Sequence, residues 1–103
     1  VSAVLGQPEP WGRPTRRAAS TLASSSITAL QEQVLRGRRK FPANRLMLAA
    51  LAEEVGELAR ALLQRKARGD VESEAIQVAA VAMRIFEEGD ASFADVTDEE
   101  AQP

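Results

Sequence analysis

LAALAEEVGELARALL, residues 48–63, decides how this chain folds. Leu48, Leu51, Val55, Leu58 and Leu62 recur at helical spacing and fall on one side of an α-helix. Three carboxylates interrupt the apolar run. At roughly 100° per residue, Glu57 lies about 40° from Glu53 and about 60° from Glu54, so all three occupy one narrow sector. Ala50, Arg60, Ala61 and Gln64 share that sector, so it is not simply a wet face. Like charges on a buryable helix cost stability unless a cation or a basic partner neutralises them.

Composition narrows the choices. The 103 residues make one small domain. Scarce aromatics and abundant alanine favour closely packed helices. There is no cysteine and no histidine, which excludes disulfides, thiolate zinc sites and the commonest general base. Any metal site must use oxygen ligands, which favours magnesium, manganese or calcium. No apolar run reaches the ~20 residues of a membrane span, so a soluble, cytoplasmic protein is expected.

Charge is unevenly spread. Residues 1–45 carry eight Lys or Arg against two acids, and residues 46–103 carry five against thirteen. The basic half suits phosphate or nucleic acid, and the acidic half suits cations. A single-stranded nucleic-acid platform needs interleaved aromatics, and Trp11 with Phe41 is too little, so nucleic acid is not an expected partner.

Outward from the central helix, residues 1–24 read as a flexible tail. They hold Pro8, Pro10 and Pro14 and lack sustained periodicity. A targeting role is the alternative, but no apolar segment follows Arg16-Arg17, against a secretory or twin-arginine signal. The helical domain is expected over 25–90. A first helix over 27–39 follows from Ile27, Leu30, Val34 and Leu35, with Thr28 and Gln31 as a capping box. Arg36, Arg38, Arg39 and Lys40 sit where cations favour a helix C-terminus; the alternative is that this cluster faces a polyphosphate. Phe41-Pro42-Ala43 stops the helix, and Asn44 is an N-cap candidate for the next, running from about Arg45 to about Arg65.

A third helix is expected over 70–88, with Asp70 as N-cap and Gly89 as its stop. Ile76, Ala79, Ala80, Met83 and Phe86 form its apolar side, while Glu74, Gln77, Val81, Arg84 and Glu88 line another. The acidic segment 91–103 is expected to be flexible. If helices two and three form a hairpin turning near Ala67, Glu57 lies opposite Gln77 and Arg60 opposite Glu74. Glu53, Glu57, Glu74 and Gln77 then converge on one cleft. A plain Arg60–Glu74 surface pair would account for part of this pattern, at about 0–1 kcal/mol.

EEVGE at 53–57, followed after sixteen residues by EAIQ at 74–77, resembles the EExxE…ExxD signature of the MazG-like, all-α nucleoside triphosphate pyrophosphohydrolases. KFPAN at 40–44 and QVAAVAMRIFEEGD at 77–90 add to the likeness, which spans residues ~30–90. The resemblance implies that Glu53, Glu54, Glu57 and Glu74 bind Mg²⁺ (or Mn²⁺) and position water for cleavage between the α and β phosphates. The products would be a nucleoside monophosphate and pyrophosphate. Gln77 stands where the motif has Asp, putting one metal contact in question.

Chemistry adds three expectations. Glu53 or Glu54, whichever is free of metal, accepts the proton of the attacking water. Arg39, Lys40 and Arg84 are the phosphate contacts on charge and position. An all-α helical hairpin with an N-terminal helix completes a four-helix-type bundle only as a homodimer or tetramer, because helices two and three are apolar on more than one side. The competing reading is a catalytically silent module that uses the same fold to oligomerise or bind a partner, for which Gln77 is the best support.

Overall fold

The computed structural model describes Gly12 and residues 20–93. They fold into three helices, α1 (Ser24–Lys40), α2 (Met47–Leu63) and α3 (Arg68–Glu88), with no strand among the described residues. None of the helices is long and apolar enough to cross a membrane. The expected mobility of residues 1–19, Gly12 aside, and of 94–103 falls outside the described residues.

α3 is the helix on which both others pack; α1 and α2 do not contact each other. At one end α3 joins both: Arg38 near the end of α1 binds Glu88, and Asp90 just past α3 accepts the N–H of Leu48 at the start of α2. Among the described residues, Val34 of α1, Met47 and Ala61 of α2, and Ala80 of α3 are the buried apolar ones, and no large side chain is completely enclosed. That is a thin core, since full burial of one large aliphatic side chain contributes about 1.5–3 kcal/mol.

Several boundaries differ from the sequence expectation. α1 starts at Ser24 after an extended Ala23, without a side-chain cap, so Thr28 and Gln31 lie inside the helix rather than boxing its start. α3 starts at Arg68, which places Asp70 in its first turn, where the acid meets the positive end of the helix dipole. α2 stops at Leu63 in a Schellman arrangement. Lys66 N–H donates to Ala61 O at 2.9 Å and Arg65 N–H to Leu62 O at 3.2 Å, with Arg65 left-handed at φ 53°. The hairpin therefore turns between Arg65 and Lys66 rather than near Ala67. This moves the helix pairing by about one turn and brings Glu57 level with Glu74.

The start of α2 is capped from a distance. Asn44 does not cap it; its side-chain amide donates to Glu88 O at 2.6 Å. Gly89 ends α3 with φ 71° and ψ −164°, a region essentially reserved for glycine, and turns the chain back. Asp90 then accepts the Leu48 N–H at 2.8 Å, Ser92 Oγ accepts the Leu46 N–H at 2.8 Å, and Ala91 N–H donates to Asn44 O at 2.8 Å. The start of the segment expected to be flexible, Ala91 and Ser92, is thus pinned to α2.

Candidate functional site

α2 and α3 bring carboxylates from two helices together. One oxygen each from Glu54, Glu57 and Glu74 lies within 4.8 Å of the others. Glu54 and Glu74 are half-buried, and the Oε2 atom of each is buried without a hydrogen-bond partner. Burial pushes the Glu54 carboxyl above its usual range, and the charges of Glu57, Glu74 and Glu53 push it further. Glu74 is raised as well, first by burial, then by the charge of Glu57 and, less, by that of Asp70. The cluster thus holds negative charge under strain.

This donor set fits a hard divalent cation. A Mg²⁺ octahedron with bonds of about 2.1 Å has ligand oxygens roughly 3–4 Å apart, so small side-chain rotations would bring the three oxygens into range. A cation there would also partner the two orphaned buried atoms. Glu53 is exposed and outside the three, acting on Glu54 through charge. Gln77, one turn beyond Glu74, is half-buried; the observed hairpin register sets it level with Glu54 rather than Glu57.

The basic residues are distributed differently from expectation. Arg84 is only 4% exposed, and each of its three nitrogens donates a hydrogen bond. Its Nε and Nη2 donate to Glu88 at 3.1 and 2.9 Å, and its Nη1 donates to Phe41 O at 3.0 Å. Arg38 also binds Glu88, at 2.7 Å, and reaches Glu87. These guanidinium contacts, Arg84 first, draw the Glu88 carboxyl down to about 2. Arg84, buried and with each of its three nitrogens engaged, therefore ties α3 to the end of α1 rather than facing a phosphate.

Arg39 and Lys40 are exposed at the same end, with Lys40 Nζ 5.5 Å from the centre of the Phe41 ring. Arg39 lies with Glu32, Leu35, Arg36 and Lys40 around an open depression of about 550 Å³. Glu74 and Glu87 are thirteen residues apart on α3, or about 20 Å at 1.5 Å per residue. Within one chain, Arg39 and Lys40 are thus remote from the carboxylate cluster. No Arg60–Glu74 ion pair forms; instead both residues line a cleft of about 480 Å³ with Glu57 and Lys66. Sequence reasoning missed Lys66 because the turn that directs it was placed too late. No protein-family model, curated protein or solved structure matches the chain.

Proposed function

We propose that the protein is a Mg²⁺- or Mn²⁺-dependent nucleoside triphosphate pyrophosphohydrolase. The observation that carries this reading is the three-carboxylate cluster of Glu54, Glu57 and Glu74, with two buried oxygens lacking partners. The EExxE-like stretch and its resemblance to MazG-like enzymes supply the reaction type, and a cytoplasmic, nucleotide-pool role goes with it. A divalent cation bound there would neutralise phosphate oxygens and favour attack at phosphorus.

The chain's own residues have separate tasks. Glu54, Glu57 and Glu74 hold the cation, and Gln77 offers a neutral carbonyl oxygen beside them. Glu53, left outside the cluster, accepts the proton of the attacking water. The water oxygen bonds to the α phosphorus, the bridging α–β P–O bond breaks, and pyrophosphate leaves with the bridging oxygen. A substrate panel read by pyrophosphate release in Mg²⁺ or Mn²⁺ tests this. Release of orthophosphate instead would refute the reaction type.

A homodimer or tetramer belongs to the same reading. Leu48, Val55 and Leu62 recur every seven residues on α2 and are 53%, 46% and 57% exposed, a seam suited to a second helix. Phe86 of α3 is 84% exposed. The neutral Gln77 favours the second reading, a silent helical binding module. Calorimetry with Mn²⁺ separates the two, because a silent module would bind no metal above background.

A further inference from the structure

The cleft beside the carboxylates is lined by charges of both signs. Glu57, Asp70 and Glu74 line it together with Arg60, Lys66 and the small, buried Ala61. It is an open depression of about 480 Å³. The two cations come from different local structures. Arg60 is one turn along α2 from Glu57, so a side chain in the cation cluster and a guanidinium project from neighbouring positions. Lys66 is set by the Schellman turn, its N–H bonded to Ala61 O at 2.9 Å, so its backbone is fixed beside Ala61, another residue of the lining.

Three acids line the same cleft, yet neither Arg60 nor Lys66 forms an ion pair with any described residue, whereas nearby Arg68 binds Glu72. Two unpaired cations next to a cluster suited to a divalent ion match what a polyphosphate needs. Some of its oxygens would meet the metal ion, and the rest would meet a guanidinium fork and an ammonium. We infer that Arg60 and Lys66 grip the polyphosphate of the substrate, the role expected for Arg39, Lys40 and Arg84. This rests on the pyrophosphohydrolase reading above.

The test uses the full chain and two separate titrations. Mn²⁺ binding is measured first by electron paramagnetic resonance. Magnesium pyrophosphate is then titrated calorimetrically into wild type, R60Q, K66Q, the double variant and R68Q. R68Q removes an equal charge that is already paired with Glu72. The expected result is Mn²⁺ affinity within about threefold of wild type throughout. Pyrophosphate should weaken about tenfold in each single cleft variant, and more in the double, but not in R68Q. Mn²⁺ binding with unchanged pyrophosphate affinity in the double variant would overturn the assignment while leaving the metal site intact. An equal loss in R68Q would reduce it to bulk charge. A wild type that binds no Mn²⁺ would remove the underlying reading, and the inference with it.

Discussion

Asp90 Oδ2 accepts the backbone N–H of Leu48 at 2.8 Å, across forty-two residues of sequence. The other carboxyl oxygen accepts the Ser92 N–H at 2.8 Å, closing an Asx turn. The first turn of α2 leaves N–H groups without partners inside the helix, and here the residues just past α3 supply one. The helix that carries Glu54 and Glu57 is thereby held at its start by the end of the helix that carries Glu74.

Removing that cap should loosen α2 locally. Asp90→Ala is expected to lower the melting temperature and to speed amide exchange at Leu48, while Asp90→Asn, which keeps an acceptor oxygen, loses less. Hydrogen exchange followed by NMR reads this directly. Unchanged exchange at Leu48 would mean that the contact does not support the helix.

Arg84→Met should destabilise by about 3 kcal/mol. It strands the Phe41 carbonyl and removes two of the guanidinium contacts of the Glu88 carboxylate, although Arg38 still covers part of that charge. Urea unfolding gives the value. If Arg84 instead contacted substrate, turnover would fall with no loss of stability.

Two acid titrations of opposite sign are expected. Glu88 is drawn down from 4.5 to about 2, so the unfolded chain binds its proton more readily. Its contribution is complete above pH 4.5 and is lost as pH falls toward 2. The full linkage figure is about 3 kcal/mol, and solvent screening at this partly exposed site reduces it to about 1–2 kcal/mol. Glu54 and Glu74 are raised above 4.5, so their folded forms hold protons more tightly. Their contribution is complete below pH 4.5 and is lost as pH rises through their folded values. Metal-free protein should therefore be most stable at mildly acidic pH, and saturating Mn²⁺ should abolish the decline above it. Melting curves with and without Mn²⁺ from pH 2 to 8 check both limbs.

Glu54→Gln should raise stability without metal and abolish Mn²⁺ binding and turnover, a pairing that a purely structural carboxylate would not give. Glu57→Gln should likewise abolish binding and turnover. Gln77→Asp should tighten Mn²⁺ by roughly tenfold, because a charged oxygen replaces a neutral one level with Glu54. Calorimetry on the three variants decides. An unchanged Gln77→Asp would mean that residue 77 does not reach the ion.

Arg65 is a non-glycine residue in the left-handed region, at φ 53°. Arg65→Gly is expected to stabilise the hairpin by a few tenths to about 1 kcal/mol, measured by urea unfolding. A loss of stability would show that the Arg65 side chain contributes contacts worth more than its backbone strain.

Val55→Lys places a charge in the middle of the exposed Leu48–Val55–Leu62 seam. Light scattering should find wild type as a dimer or tetramer at micromolar concentration and this variant as a monomer. A folded wild-type monomer would refute the association.

The helices themselves, the glycine stop at 89 and the shared sector of Glu53, Glu54 and Glu57 were determined by the sequence alone. Each depends on local periodicity or on the conformational preference of one residue, and such signals act over a turn or two. Which face turns inward was not local. Glu74, Gln77, Arg84 and Glu88 of α3 are buried or half-buried alongside Ile76, Ala80 and Met83 of the expected apolar side, while Phe86 is exposed, a mixture that side-chain polarity does not predict. Arg84 is buried because Phe41 and Glu88 satisfy it there, and one of those partners lies forty-three residues away. The helix pairing was settled by the Schellman turn at Arg65, which a sequence rule that looks for glycine at that position passes over. The same turn set Glu57 level with Glu74 and brought Lys66 to the cleft. Only tertiary structure decided these, because buried charge is tolerated where distant groups meet it, and periodicity carries no record of those groups.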